Sequence, residues 1–164
     1  NGHPFGLLMG YHKDVSLTAM AFDGDVYHTG DNVYMDEDGY VWFVGRKDDI
    51  IKTSGYRVSP FEVESILQQH PAVMECAVTG VEDPKRGMAV KASIVLSPGY
   101  DKKDPKEMEL ELSTFAKENT AMYKCPRIFE FLEELPKTIS GKIRRVEIRE
   151  RDSGKKAENI KQDF

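Results

Sequence analysis

The chain has 164 residues, of which 40% are hydrophobic, so it can bury a core and hold one or two small domains. Its formal net charge of −5 argues against a nucleic-acid-binding surface. No apolar run approaches the roughly 18 residues of a membrane span, and no signal peptide is apparent. We therefore expect a cytoplasmic protein, with the mitochondrial matrix as the alternative for a eukaryotic source.

Neither the cysteines nor the histidines predict a metal site. Cys76 and Cys125 lie far apart in sequence and form no C-x-x-C pair. The four histidines show no spacing that is typical of metal ligands. The sequence therefore predicts neither a zinc site nor a disulfide framework.

Residues 1–45 predict short strands and turns. The stretches 7–9 and 15–22 are apolar or alternating, and residues 40–44 form the clearest strand. Because hairpins of this total length cannot easily close a core alone, we interpret residues 1–47 as the β-rich tail of a larger domain. The chain also begins at Asn1 in the middle of a pattern, from which we expect a fragment of a longer protein.

A glycine and four charged residues at 45–49 separate this tail from a second unit, which we place at residues 48–152. The second unit opens with a predicted hairpin, whose strands at 50–52 and 56–58 are joined through a Ser54-Gly55 turn. A polar tail, 153–164, completes the chain.

Helices and strands alternate through the rest of the second unit. Ser59, Pro60 and Glu62 predict a helix that begins with a capping box and ends before Pro71. Further strands are predicted at 73–81, 88–96 and 127–132, and further helices at 104–119 and from residue 144. The 88–96 strand alternates apolar and smaller or polar residues, so it should be half-buried. The predicted fold class is α+β, a hairpin and a short sheet packed by helices.

Residues 136–145 carry the most chemistry. Gly141 leaves the backbone free to bring Lys142 close to a ligand, and hydroxyl side chains such as that of Thr138 can donate to phosphate oxygens. Residues 124–164 carry 11 Lys and Arg against 8 Asp and Glu, so the basic surplus gathers around this loop. The pattern predicts a lysine delivered on a flexible loop to a small polyanion. A solvated basic turn is the alternative.

Two weaker patterns precede residues 136–145 in the chain. Thr29-Gly30-Asp31 places a carboxylate after a glycine turn, as is usual where a ribose diol is held; a surface turn is the alternative. Residues 45–57 alternate charged and apolar positions along two short strands. Since charges are costly to bury, this region indicates a ligand face or an interface, or else a salt-bridged hairpin.

In chain order these patterns resemble the signature motifs of the adenylate-forming enzymes, which include acyl-CoA synthetases, firefly luciferase and peptide-synthetase adenylation domains. Further motifs resemble the branch of acetyl- and medium-chain acyl-CoA synthetases. The motifs that carry the resemblance are Tyr27-x-Thr29-Gly30-Asp31, Gly45-Arg46-x-Asp48-x-x-Ile51-Lys52-x-x-Gly55-x-Arg57 and Pro136-Lys137-Thr138-x-Ser140-Gly141-Lys142-Ile143-x-Arg145, with Val58–Glu64, Asp83-Pro84-x-Arg86-Gly87 and Tyr123-Lys124-x-Pro126-Arg127 for the branch.

The resemblance implies a two-step reaction. A carboxylate attacks the α-phosphate of Mg-ATP to give acyl-AMP and pyrophosphate, and the thiol of coenzyme A then displaces AMP. The small C-terminal lid domain of this family rotates between the steps. The phosphate loop, the adenine pocket and the acyl pocket of the family would lie upstream in a large N-terminal domain, so we expect this piece to be inactive by itself.

The resemblance also implies roles for particular residues. In the first step Lys142 would bridge the carboxylate and phosphate oxygens, Asp31 and Arg46 would hold the ribose, and Arg57 would lie on the phosphate side. Asp48 would be the hinge. In the second step Ser54, Gly55 and Tyr56 would line the thiol channel, with Gly55 leaving room for the pantetheine arm. The candidates for the nucleotide end of coenzyme A are Arg86, Lys117, Cys125, Pro126 and Arg127, of which the arginines match phosphate best.

Two alternatives remain open. The parent could be another adenylate-forming enzyme, such as a peptide synthetase, although Arg86 and Arg127 favour free coenzyme A. A stand-alone module that binds coenzyme A or nucleotide without catalysis is the hypothesis from a different class.

Overall fold

The computed structural model describes residues 5–154, and these fall into two compact units that meet in sequence between Asp48 and Asp49. The predicted tail lies mostly outside the described residues, as does His3. No helix within the described range is long and apolar enough to span a membrane.

The first unit contains one helix and two small antiparallel hairpins. Helix α1 spans Val15–Ala21, and its N-cap Asp14 accepts a hydrogen bond from the Leu17 amide through Oδ1 at 2.8 Å. The prediction of strands and turns is therefore wrong for residues 15–21, because this cap and a run of Leu, Met and Ala favour helix over the apparent alternation. The strands that follow are β1 (Phe22–Asp23), β2 (Val26–Tyr27), β3 (Asp31–Met35) and β4 (Val41–Arg46).

The first unit has very few buried residues. Of its described residues only Ala21 and Gly45 are buried. The β3–β4 hairpin is instead held by its own side chains: the rings of Tyr34 and Trp42 stack across it at 6.2 Å, and Trp42 Nε1 donates to Asp36 Oδ2 at 2.7 Å.

The second unit is built on a mixed five-stranded sheet. Strand β8 (Gly87–Leu96) is its centre, antiparallel to β7 (Val73–Asp83) and parallel to β9 (Ile128–Phe131). The hairpin β5 (Ile51–Thr53) and β6 (Tyr56–Val58) joins the sheet where Thr53 pairs with Gly87. The predicted hairpin and its turn at Ser54-Gly55 are confirmed, and both turn residues have positive φ, 48° and 84°.

Helices cover both faces of this sheet. Helix α2 (Pro60–Leu67) and helix α3 (Pro105–Asn119) contribute the main core, whose largest members include Val63, Leu67, Ile94, Met108 and Leu112. A smaller cluster of Ala77, Val95, Leu135 and Ile148 fills the space under helix α4 (Arg145–Asp152). The predicted α+β class is confirmed.

Strand β8 is more buried than its sequence predicts. Every residue from Ala89 to Val95 is buried, so the expected half-buried pattern is wrong. The reason is tertiary: neighbouring side chains in a strand point to opposite faces, and Leu135 and Ile148 cover the face that would otherwise meet water.

The start of helix α2 also differs from the prediction in one detail. Ser59 is the N-cap and Pro60 the first helical residue, as predicted, but the Ser59 side chain makes no cap hydrogen bond. Glu62 forms an ion pair with Lys124. The predicted capping box is therefore wrong in its Ser59 half.

Candidate functional site

Lys142 lies on a closed hairpin rather than on a loose loop. The backbone bonds Thr138 N to Lys142 O (2.8 Å) and Arg144 N to Pro136 O (2.8 Å) pair its two legs, and the Lys142 amide donates to Thr138 Oγ1 at 3.0 Å. Gly141 sits at the turn with φ +82°, a conformation that a side chain would strain. The hairpin thus holds the Lys142 backbone in one conformation.

The Lys142 side chain is exposed, and no described residue gives its ammonium a hydrogen bond or an ion pair. Its neighbour Lys137 differs, since Lys137 Nζ lies 2.6 Å from Glu75 Oε1. One lysine therefore ties the hairpin to β7, and the other stays exposed without an ion-pair partner among the described residues.

Most of the residues predicted for the thiol step line one cavity of the second unit, of about 310 Å³. Three segments that are far apart in sequence form it: the β5–β6 turn, the β7–β8 turn and residues 122–127. The Ser54 amide donates to Arg86 O at 2.9 Å, and the Arg127 amide donates to Val90 O at 2.8 Å, so backbone bonds hold these segments against the sheet. The lining residues are Thr53, Ser54, Tyr56, Arg86, Val90, Met122, Tyr123, Cys125 and Arg127.

The lining carries positive charge and contains no acidic side chain. Arg86 is partly balanced by Asp83 behind it, at 3.6 Å, and Arg127 is exposed. Burial raises the pKa of the Cys125 thiol above its ordinary value, although Arg127 and Lys117 oppose this, so the thiol is neutral and lines the wall as a small apolar group. The cavity therefore suits an anionic ligand with an apolar portion.

Four of the lining residues were not predicted: Thr53, Val90, Met122 and Tyr123. The rings of Tyr56 and Tyr123 stack with centroids 4.1 Å apart and form one wall. These tyrosines are 67 positions apart, so no local pattern could pair them. The available signal was that Tyr123 opens the Tyr123-Lys124-x-Pro126-Arg127 motif, although no role was predicted for its ring.

Three residues predicted for the thiol step lie outside the lining, namely Gly55, Lys117 and Pro126, and so does Arg57, which was predicted for the phosphate side. A Cβ built on Gly55 would meet no heavy atom within 4 Å, so within this unit the glycine is required by its φ of +84° rather than by crowding. Pro126 is buried between two lining residues, Lys117 is exposed at the end of α3, and Arg57 is exposed on β6 opposite Lys52.

The first unit brings together Asp31 and Arg46, the two residues predicted to hold the ribose. Asp31 and Arg46 are paired in the β3–β4 register, and Arg46 Nη1 lies 3.2 Å from Asp31 Oδ1 and 2.8 Å from Thr29 O. Gly30 has a φ of +77°, which a side chain would strain, and a Cβ there would lie 3.0 Å from the Arg46 guanidinium. Burial lowers the pKa of Arg46, but the charges of Asp48 and Asp31 outweigh burial and raise it. Asp48 is the most exposed of the three.

The second unit combines a mixed sheet covered by helices on both faces with a basic cavity and the Lys142 hairpin. These features together define the class of domain to which it belongs. Residues 62–142 match the family model "AMP-binding enzyme C-terminal domain", and this part of the chain belongs to that family. The predicted resemblance to adenylate-forming enzymes is thus confirmed.

Particular relatives sharpen this assignment. The mitochondrial acyl-coenzyme A synthetase ACSM3 of Mus musculus is 53% identical over 91% of this chain, and 4-hydroxybutyrate–CoA ligase 1 of Metallosphaera sedula is 54% identical over 95%. Among solved structures, an anthranilate CoA ligase in complex with anthranoyl-AMP matches with a TM-score of 0.77 and 42% identity, over 87% of this chain and 27% of that one. The chain spans about a quarter of the length of the curated relatives it matches, 26% and 27%.

Proposed function

We propose that this chain is the C-terminal part of an AMP-forming acid–thiol ligase. A carboxylate oxygen attacks the α-phosphorus of ATP and pyrophosphate leaves; the coenzyme A thiol, after losing its proton, then attacks the acyl carbon and AMP leaves. The observation that carries the proposal is the cavity, since five residues predicted for the thiol step converge there from three segments. Both the cytosol and the mitochondrial matrix suit such an enzyme.

Lys142 serves the first step in this proposal. Its ammonium would neutralise the charge that develops between the carboxylate and the α-phosphate, the main contribution a protein makes to such chemistry. Asp31 and Arg46 would hold the ribose, Arg57 would lie near the phosphates, and Asp48 would be the hinge about which the second unit turns.

The cavity serves the second step. Arg86 and Arg127 would bind the phosphates at the nucleotide end of coenzyme A, because guanidinium groups bind phosphate bidentately. Ser54, Gly55 and Tyr56 would guide the pantetheine arm. At about 310 Å³ the cavity is at the small end of ligand sites, so it would enclose only part of a molecule as long as coenzyme A. These arginines favour free coenzyme A over a carrier-protein thiol.

ATP enters such a reaction as its magnesium complex. Within residues 5–154, no group of three or more His, Cys, Asp or Glu side chains is placed to hold a metal ion. We therefore assign no magnesium ligand to this part of the chain.

Lys142→Ala in the full-length enzyme tests the proposal. Acid-dependent ATP–pyrophosphate exchange should fall about 100- to 1,000-fold, as when an electrostatic donor to a transition state is removed. Thioester formation from supplied acyl-AMP and coenzyme A should stay near the wild-type rate. Both half-reactions are measured separately with purified protein.

Lys102→Ala is the matched control, because Lys102 is also an exposed lysine in a turn of the second unit. It should leave both half-reactions unchanged. Normal exchange in Lys142→Ala would remove this lysine from the mechanism, and absence of exchange in the wild type would remove the ligase assignment itself.

A further inference from the structure

The base of the Lys142 hairpin is anchored by a largely buried ion pair between Arg145 and Glu64, whose side chains are 23% and 7% exposed. Arg145, the first residue of α4, follows Lys142 by three positions, and its Nε and Nη2 donate to Glu64 Oε1 at 3.0 Å and Oε2 at 2.6 Å. Glu64 is only 5% exposed and lies on α2. This is a bidentate pair, which fixes direction as well as distance.

Glu64 is itself held on the sheet. Its Oε1 also accepts a hydrogen bond from the amide of Val78 on β7 at 2.7 Å. The carboxylate therefore joins α2, β7 and the base of the hairpin at one point. Burial lowers the pKa of Arg145, but Glu64 and Asp49 outweigh burial and raise it, so the guanidinium stays charged.

A second ionic link connects Arg145 with the beginning of the second unit. Arg145 Nη1 lies 3.8 Å from Asp49 Oδ2, and Arg149, one turn further along α4, pairs with Asp49 Oδ1. Asp49 is 13% exposed and directly follows Asp48, the proposed hinge. A chain of charges thus joins residue 49 to the residue that anchors the hairpin.

Docking of α4 does not explain this arrangement. The helix is already held by Ile148, which is fully buried, and by Ile143 packed beside it. The free energy needed to remove two charges from water is about as large as the free energy gained from their attraction in a buried ion pair. An apolar pair of similar volume would therefore stabilise the fold at least as well. What the ion pair adds is one defined orientation at the base of the hairpin.

We propose that Arg145, held by Glu64 and Asp49, is a positioning residue that sets the direction in which the hairpin presents Lys142. Because the two legs are paired from Pro136 to Arg144, the hairpin has little freedom of its own, and an orientation imposed at its base reaches the lysine. The link to Asp49 makes the backbone beside the hinge part of the same rigid body. The inference rests on the proposed function.

The test uses Arg145→Lys in the full-length enzyme. Lysine keeps the charge but loses the bidentate geometry. We expect kcat for acid-dependent ATP–pyrophosphate exchange to fall about 10- to 100-fold, as for a small misplacement of a catalytic group. The KM for ATP and the rate of thioester formation from supplied acyl-AMP should change less than about twofold, because orientation affects the transition state rather than ground-state binding.

Arg151→Lys is the matched control, since Arg151 is on the same helix and is ion-paired, with Glu130, but lies away from the hairpin. It should leave both half-reactions unchanged. If Arg145→Lys lowers the midpoint of thermal unfolding and both half-reactions together, Asp49→Asn decides, because that change keeps the Glu64 pair and removes only the charge of Asp49 that pairs with Arg145 and Arg149. A selective fall in exchange by Asp49→Asn supports the inference, and unchanged exchange overturns it.

The failures of the two proposals are distinguishable. If the wild type shows no exchange, or Lys142→Ala does not reduce it, the proposed function fails. If wild type and Lys142→Ala behave as expected but Arg145→Lys keeps normal exchange, only the positioning role of Arg145 is overturned.

Discussion

Arg86 reaches the cavity from a turn, and that turn is itself fixed by side-chain and backbone bonds. The amides of Lys85 and Arg86 both donate to Asp83 Oδ1 at 2.9 Å, and Arg86 O accepts from the Ser54 amide. Replacing either side chain leaves these bonds in place. Lys85 and Arg86 thus lie in the same fixed turn, but only Arg86 lines the cavity.

This pair allows a sharp prediction at the residue scale. Arg86→Ala should raise the KM for coenzyme A about tenfold or more, because a hydrogen bond between charged groups contributes about 1.5–3 kcal/mol. Acid-dependent ATP–pyrophosphate exchange should not change. Steady-state kinetics with varied coenzyme A measure the first effect and an exchange assay the second.

Lys85→Ala is the control and should leave the KM unchanged, because Lys85 is exposed and does not line the cavity. Equal effects of the two substitutions would indicate a general electrostatic attraction rather than a binding site.

The C-terminal end of helix α4 is tied to the sheet by charge. Lys91, on the central strand and 7% exposed, lies 2.5 Å from Asp152 and 3.0 Å from Glu130. Burial raises the pKa of Glu130, but hydrogen bonds from Lys91 and Ser93 and the nearby cations outweigh it, and the pKa falls below its ordinary value. The buried Asp152 Oδ2 has no hydrogen-bond partner among the described residues, so this carboxylate depends on the lysine.

At the scale of this element we expect Lys91→Met to be strongly destabilising. Methionine fills similar volume but leaves Asp152 buried without its cation, which should lower the free energy of unfolding by about 3 kcal/mol. Urea unfolding of the chain, followed by circular dichroism, measures the change.

Arg151→Met is the comparison, because Arg151 pairs with the same Glu130 but is 46% exposed. It should cost less than about 1 kcal/mol, as exposed ion pairs do. A loss as large as that of Lys91→Met would show that Glu130, rather than the buried Asp152, dominates the cluster.

The two units differ in how much of their structure is self-supporting. The second unit has a continuous core that includes Leu67, Ile94 and Leu112, all fully buried. The described part of the first unit buries only Ala21 and Gly45, and leaves Trp42 and Phe43 about half exposed. Hydrophobic burial is the main favourable term in folding, so the units should differ in stability.

For the whole molecule we therefore expect residues 49–164 to fold alone. Heating should produce one cooperative transition, seen by circular dichroism, with a dispersed NMR spectrum before it. Residues 1–48 alone should show neither, since two short hairpins without a core are marginal in water. A failure of residues 49–164 to fold would mean that this unit depends on the residues before it.

Several features followed directly from the sequence. The hairpin turn at Ser54-Gly55 was predictable because only a few residue types accept positive φ at both positions. The helix at α3 followed from its periodicity, and the strand at β4 from a continuous run of aromatic and β-branched residues at 40–44. The helix at Val15–Ala21 did not, since a short apolar stretch fits both helix and strand and only the Asp14 cap decides between them.

The sequence by itself determined the family, the candidate lysine and the cations of the cavity, because these depend on residue type and spacing within short segments. Only the tertiary structure decided that Tyr56 stacks on Tyr123, that Glu62 pairs with Lys124, and that Arg145 joins Glu64 to Asp49. Those contacts bring together residues 62 to 96 positions apart, and such pairings are set by how the helices pack on the sheet, which no local pattern encodes.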